Sequence, residues 1–115
     1  MEEKKYSDVE QEFWSYEKEG DAIVGIYETN QENVGQNKSM LYLLRQPNGK
    51  IIGVWGSTVL DNKFKLIRLG DDIRVVYLGI VKPTQGREYK DFKIQIAETQ
   101  AENKAWVFYI QKIKL

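Results

Sequence analysis

The sequence predicts a mostly β-stranded domain with a small amount of helix, and three observations support this fold class. Short segments rich in β-branched and aromatic residues recur along the chain, turns containing glycine or proline separate them, and no long helical pattern intervenes. The chain has 115 residues, of which 42% are hydrophobic, so it has room for one domain with its own core. A β-sandwich or a small barrel is therefore expected.

Residues 1–19 are predicted to form an acidic N-terminal helix or arm. Ser7 and Glu10 fit a capping box, and Val9, Phe13 and Tyr16 recur at helical spacing. The aromatic residues at positions 13, 14 and 16 suit an extended arm as well. From Gly20 onward the hydrophobic period changes to two, so residues 20–115 are assigned to the β domain.

Five strands are predicted in this domain. They are Asp21–Thr29, Ser39–Gln46, Lys50–Ser57, Ile73–Lys82 and Tyr89–Ala97. The second and third flank Pro47-Asn48-Gly49, a tight-turn signal that predicts a hairpin. The polar stretch 30–38 predicts a loop, and the irregular connector 58–68 predicts a short helix or a turn.

The predicted architecture is a five-stranded OB-fold barrel with a C-terminal extension. An irregular connector between the third and fourth strands is typical of the OB layout, and an SH3-like barrel is the nearest competitor. The last apolar run, Trp106–Ile113, is predicted as a sixth strand or a packed helix. Large aromatics usually serve cores, and on this ground four residues are assigned to packing. They are Trp14, Trp106, Phe108 and Tyr109.

Charge is unevenly distributed although the net charge is zero. Residues 1–32 carry 3 positive and 10 negative groups, whereas residues 33–115 carry 14 positive and 7 negative groups. A neutral total counts against a strong polyanion binder, but a basic body beside an acidic segment could attract phosphates. A solvated acidic arm beside an ordinary surface explains the same pattern.

The composition excludes several kinds of chemistry. The chain contains no cysteine and no histidine, which removes disulfides, thiolate nucleophiles, Cys- or His-based metal sites and the commonest general base. Asp71 and Asp72 suit a turn better than a metal pair, because adjacent side chains entering a strand diverge. No stretch has the spacing of a P-loop. The sequence therefore predicts a non-enzyme without a cofactor.

The location predicted is the cytoplasm, or the host cell if the protein is viral. No apolar run approaches the length of about 18 residues that spans a bilayer. The charged start MEEKKYSDVE lacks the apolar region of a secretory signal. No membrane partner is expected.

Three segments resemble a known family. The runs KIIGVWGSTVL (50–60), LGDDIRVVYLG (69–79) and GREYKDFK (86–93) are similar to small OB-fold proteins of tailed phages that bind single-stranded DNA. The resemblance covers about half the chain in the expected order. It implies single-stranded DNA binding in phage replication, recombination or repair, with partners from those processes. The basic C-terminus QKIKL departs from the acidic tail of bacterial single-strand binders.

Single-strand binding needs cations along the backbone and exposed rings on which bases stack. In an OB fold the platform is the outer surface of strands two and three with their neighbouring loops. Trp55 shares a strand face with Gly53 and Ser57, which would leave its ring uncovered; the alternative is a core position. Tyr42 is equally suited to the core or to the platform. Arg45 and Lys50 bracket the hairpin turn and are candidate phosphate contacts, and a role in surface solubility explains them equally well.

The fifth predicted strand supplies the clearest candidates. If Phe92, Ile94 and Ile96 point inward, then Tyr89 and Lys93 point outward. Three further cations surround Tyr89, although Glu88 and Asp91 dilute their charge. They are Lys82, Arg87 and Lys90. An ordinary solvated loop is the alternative for this cluster.

The function predicted is sequence-tolerant, non-catalytic binding of single-stranded DNA. The same ring and cation chemistry serves RNA. A protein-interaction β-barrel, acting as an adaptor or as a subunit of a larger complex, is the alternative, because exposed Tyr and Trp are also favoured at protein interfaces. Either protein could form a homo-oligomer.

Overall fold

The computed structural model describes residues 4–6 and 10–98. Within them the chain forms one sheet of six strands and one helix. In chain order the elements are β1 (Glu12–Phe13), β2 (Ala22–Val34), β3 (Ser39–Arg45), β4 (Ile51–Trp55), α1 (Thr58–Phe64), β5 (Asp72–Val81) and β6 (Tyr89–Ile96). The mostly β fold class is confirmed. The predicted element Trp106–Ile113, with its packing aromatics Trp106, Phe108 and Tyr109, lies outside the described residues.

The strand order in the sheet is β1-β4-β3-β2-β5-β6. Neighbouring pairs are antiparallel, except that β1 runs parallel to β4. β3 and β2 are the two middle strands, and β2 pairs with β3 on one side and with β5 on the other. In the described part of the chain no ladder joins β4 to β6, so the sheet stays open where a barrel would close.

The first hairpin is longer than the sequence predicts. β2 continues through the polar residues 30–34, which were predicted as loop, and Asn30 and Gln31 pair with Tyr42 and Leu41 of β3. Backbone hydrogen bonds hold these residues in register although their side chains are exposed. The β2–β3 connection is therefore only the four residues 35–38.

The core lies on one face of the curved sheet. Alternate residues of β2 to β6 point into it, as a period of two requires. Its largest completely buried side chains are Leu44, Val54, Leu60, Ile73, Val75 and Phe92. Phe92 is in this core with Ile94 and Ile96 packed against it, so the orientation predicted for β6 is confirmed.

Helix α1 fills the predicted irregular connector and covers one end of the core. The Ser57 hydroxyl caps it by accepting a 3.3 Å hydrogen bond from the backbone N–H of Leu60. Leu60 and Phe64 are its buried residues, one turn apart on the same side. Phe64 stacks on the Tyr42 ring with 3.8 Å between the ring centroids.

The N-terminal segment is extended where it is described, and residues 10–19 form no helix. The backbone N–H of Trp14 donates to the carbonyl of Gly53 in β4 at 2.8 Å. The rings of Trp14 and Tyr16 then pack on Phe92 of β6, with centroids 6.1 and 5.1 Å away. The segment therefore lies between β4 and β6, and the packing role predicted for Trp14 is confirmed.

Candidate functional site

Two aromatic rings stack on the outer face of the sheet, which is the face turned away from the core. Trp55 at the end of β4 is 38% exposed, and Phe13 of β1 is 45% exposed. Their centroids are 5.0 Å apart and their planes differ by 17°. Gly53 makes this arrangement possible, because a Cβ there would come within 3.0 Å of the Phe13 ring. The outward position predicted for Trp55 is therefore observed.

A groove of about 430 Å³ lies beside the Trp55 ring. Its other wall is the β2–β3 connection with the residues that flank it. The lining residues are Val34, Gly35, Gln36, Asn37, Ser39, Trp55 and Gly56. We call this the Trp55 groove. It combines an indole ring with amide and hydroxyl side chains, so it can accept a flat polar ligand.

A second groove of about 490 Å³ lies between α1 and β6. We call it the Tyr89 groove, after the exposed tyrosine at the start of β6. It is lined by Thr58, Val59, Asn62, Lys63, Tyr89 and Asp91. Tyr89 is 45% exposed, and Lys63 adds a cation that the sequence analysis did not select. This groove therefore combines an aromatic ring with a cation.

The two grooves adjoin along the chain. Gly56 lines the first and Thr58 lines the second, and only Ser57, the cap of α1, separates them. The two residues that flank Ser57 therefore line different grooves. Gly56 packs closely against Asp61, because a Cβ at that position would clash with a carboxylate oxygen of Asp61.

Several of the predicted cations are engaged by carboxylates. Arg45 forms an ion pair with Glu28, Lys50 lies 3.7 Å from Glu12, and Lys82 lies 3.7 Å from Glu88. Both partners of each pair are substantially exposed, so these contacts are weak and a phosphate could replace the carboxylate.

The remaining predicted cations lie on or next to β6. The Lys90 ammonium lies over the Tyr16 ring, 5.3 Å from its centroid. Arg87 and Lys93 are exposed, and within residues 4–6 and 10–98 no salt bridge involves either of them or Lys90. Arg87 and Lys90 lie within two residues of Tyr89 in the chain, and Lys93 lies four residues further along β6.

Tyr42 lies in the core and is only 4% exposed, so it offers no stacking surface. Its hydroxyl donates a 2.6 Å hydrogen bond to Asp61. Burial raises the pKa of Tyr42, and the hydrogen bond to the Asp61 carboxylate raises it further. The sequence left this residue open between core and platform, and the structure places it in the core.

Asp71 lies in the turn that precedes β5, and Asp72 is the first residue of β5. The Asp71 carboxylate accepts a 2.9 Å hydrogen bond from the backbone N–H of Arg68. In return, the backbone N–H of Asp71 donates to the carbonyl of Arg68. Among the described residues no group of three or more metal-binding side chains is close enough to hold an ion. No helix in the described ranges has the length and apolarity to cross a membrane.

Four side chains in or beside the grooves are not among the predicted site residues: Phe13, Gln36, Asn37 and Lys63. The sequence leaves Phe13 open between a helix and an extended arm, and the structure places it in a strand. Gln36 and Asn37 were regarded as ordinary loop residues. The sequence does show Phe13 in an acidic segment, and it shows two amide residues next to Gly35. Neither pattern is enough to predict a groove without the structure.

Comparisons with protein-family models, curated proteins and solved structures found no match for this chain.

Proposed function

We propose that this protein binds single-stranded DNA without catalysis and with broad sequence tolerance. The observation that carries the proposal is the pair of adjoining grooves, each with an exposed aromatic ring, Trp55 in one and Tyr89 in the other. Base–aromatic stacking contributes about 1–3 kcal/mol per base and tolerates any sequence. Two such rings beside exposed cations are therefore sufficient for useful affinity.

The topology supports an OB-type domain. The antiparallel strands β2, β3 and β4 are followed along the chain by α1 and then by β5 and β6. β2 pairs with both β3 and β5. We propose that Trp14 and Tyr16 complete the barrel, since they pack between β4 and β6, where an OB barrel closes. The Trp55 groove then lies at the loop between the first two barrel strands, a usual binding region of this fold.

The resemblance of residues 50–60, 69–79 and 86–93 to phage single-strand binders supports a role in replication, recombination or repair. This biological assignment is part of the proposal. The protein-interaction alternative predicts stable self-association that ignores both DNA and salt. Sedimentation with and without an oligonucleotide separates the two functions.

The test is a binding titration with a fluorescein-labelled dT25 oligonucleotide, its RNA counterpart and a duplex. We expect affinity for the single strands that falls as salt rises, with weaker binding of the duplex. The double substitution Trp55→Ala and Tyr89→Ala removes both rings, so we expect the affinity for dT25 to fall at least about thirtyfold.

Tyr6→Ala is the matched control, because Tyr6 is an exposed aromatic outside both grooves. It should bind dT25 like the unmodified protein. If the double variant also binds normally, the stacking assignment is wrong. If the unmodified protein binds no single strand at low salt, the proposed function itself is wrong.

A further inference from the structure

The connection between α1 and β5 exposes two leucines. Leu66 is 81% exposed and Leu69 is 61% exposed. Lys65 and Arg68 alternate with them along the chain and are exposed as well. We call residues 65–69 the Leu66 loop. An exposed apolar patch with charged residues around it is typical of a surface that another molecule covers.

The exposure of this loop is a fixed feature of the fold. Ile67, in the middle of the loop, packs against the core and turns its neighbours toward solvent. Its backbone N–H donates to the Phe64 carbonyl at 3.1 Å, and the N–H of Gly70 donates to the Tyr27 carbonyl at 2.7 Å. The loop is thus held at its middle and at both ends. A partner would meet the two leucines already in place, which lowers the entropy cost of binding.

The chemistry of the loop restricts what can cover it. Lys63, Lys65 and Arg68 supply three cations, and no salt bridge within the described residues involves them. A nucleic acid would use the cations but would find no flat ring on the leucines for its bases. A second copy of the same loop would bring like charges together. The matching partner therefore carries carboxylates and an exposed apolar side chain.

The N-terminal residues of this chain have both features. Residues 1–13, which we call the acidic arm, carry five negative and two positive groups. Tyr6 in this arm is 89% exposed, and Tyr6 and Leu66 are the two most exposed large apolar side chains among the described residues. Because both are exposed in the same chain, the arm of one copy does not cover its own loop. Each copy therefore presents an unoccupied arm and an unoccupied loop.

We propose that the acidic arm of one copy binds the Leu66 loop of a second copy. Tyr6 packs on the two leucines, and carboxylates of the arm pair with the cations of the loop. The contact joins two different surfaces, so two copies exchange arms in a closed dimer or many copies join head to tail. The ion pairs are exposed, so the association weakens as salt rises. The contact does not depend on DNA binding.

The test is sedimentation velocity of the full chain without DNA. We expect the sedimentation coefficient to rise with protein concentration between about 5 and 500 μM at low salt, and to rise less at high salt. The double substitution Leu66→Ser and Leu69→Ser should weaken the association at least about tenfold. Ile80→Ser is the matched control, because Ile80 is 56% exposed and lies outside the loop and the arm. It should associate like the unmodified protein.

A mixing experiment identifies the two halves of the contact. The arm variant Tyr6→Ser and Glu10→Lys should also fail to associate alone. An equal mixture of the arm variant and the loop variant should form a dimer, because one contributes an intact loop and the other an intact arm. Restored association also shows that both variants are folded.

Three outcomes would overturn the proposal. One is an unmodified protein that stays monomeric at every concentration, and another is a mixture of the two variants that stays monomeric while the unmodified protein associates. The third is flotation of a monomer with phosphatidylcholine–phosphatidylglycerol vesicles, which would assign the loop to an anionic membrane surface. Failure to bind dT25 would overturn the proposed function and leave this contact standing.

Discussion

The Tyr42 hydroxyl links the core to helix α1 through its 2.6 Å hydrogen bond to Asp61. Replacing Tyr42 by Phe keeps the stacking on Phe64 but leaves a partly buried carboxylate without this donor. Hydrogen bonds to charged groups are worth more than neutral ones, so we expect Tyr42→Phe to lower the free energy of unfolding by about 2 kcal/mol. Urea denaturation measures this loss.

Tyr27→Phe is the matched control for that experiment. Its hydroxyl accepts a 2.7 Å hydrogen bond from the Asn30 amide, which is a neutral contact. We expect a loss of about 1 kcal/mol or less. Equal losses in the two variants would contradict the importance assigned to the Asp61 contact.

Asp21 provides a pH dependence whose sign follows from its hydrogen bonds. The backbone N–H groups of Glu17 and Lys18 donate to its carboxylate at 2.8 and 3.0 Å and lower its pKa below the usual range. Because the folded pKa is the lower one, this contribution to stability is present above the unfolded pKa of about 3.9 and is lost as the pH falls through the folded pKa.

The corresponding variant is Asp21→Asn, which retains an acceptor but has no charge. We expect it to be less stable than the unmodified protein at pH 7, and we expect the difference to shrink below about pH 4. Urea midpoints at pH 7 and at pH 3 measure it. A difference that stays constant across this range would show that the charge of Asp21 has no part in the effect.

At the scale of single residues, the sequence predicted positions well where one strand face is polar. Tyr89 and Lys93 could be placed outside because Phe92, Ile94 and Ile96 alternate with them. Tyr42 could not be placed in the same way, because Leu41 and Leu43 on the opposite face of β3 are also buried. Period-two reasoning needs a contrast between the faces, and β3 has none.

Among the elements, the N-terminal segment shows where local pattern and tertiary packing compete. The spacing of Phe13 and Tyr16 fits a helix. In the structure this part of the chain is extended instead, so Phe13 points outward onto Trp55 and Trp14 points toward Phe92. The edge of β4 provides backbone partners for this segment, and the uncovered side of Phe92 provides apolar surface. Neither is visible from residues 1–19 alone.

This packing predicts unequal effects for two neighbouring aromatics. Trp14 is half-buried against the core, so we expect Trp14→Ala to lower the free energy of unfolding by about 2–3 kcal/mol, somewhat less than for a completely buried tryptophan. Phe13→Ala, which removes a more exposed ring, should cost about 1 kcal/mol and should make Trp55 more accessible to acrylamide quenching. A Trp14→Ala variant as stable as Phe13→Ala would mean that the segment does not complete the core.

For the whole molecule, the order of the five main strands and the position of the helix followed from turn signals and hydrophobic period. The closed barrel predicted from the sequence is not observed, because in the described residues no strand pairing joins β4 to β6 and the segment with Trp14 and Tyr16 packs between them instead. The grooves were also inaccessible to sequence reasoning, since each is lined by residues from two elements far apart in the chain. The strands and the helix could thus be predicted from local sequence patterns. The grooves could not, because they depend on how distant elements pack together.

Charge distribution gives a prediction for the molecule as a whole. Arg45, Lys50 and Lys82 form ion pairs with carboxylates. The other three predicted cations form no salt bridge within the described residues, so we expect them to contact phosphates first. They are Arg87, Lys90 and Lys93. Each phosphate that a protein cation neutralises, with release of its counterion, contributes about −0.7 to the slope of log K against log salt for single strands. We therefore expect a slope of about −2 for dT25.

Removing the competing carboxylates should steepen that slope. The triple substitution Glu12→Gln, Glu28→Gln and Glu88→Gln releases three further cations, so we expect about −4. The control is Glu17→Gln, Glu19→Gln and Glu32→Gln, which changes the net charge equally but removes carboxylates that form no salt bridge within the described residues. If both triple variants steepen the slope equally, the total charge governs binding and the individual ion pairs do not. A steeper slope in the first variant alone would mean that the acidic residues compete with phosphates for particular cations, as the proposed binding of a polyanion by a protein of zero net charge requires.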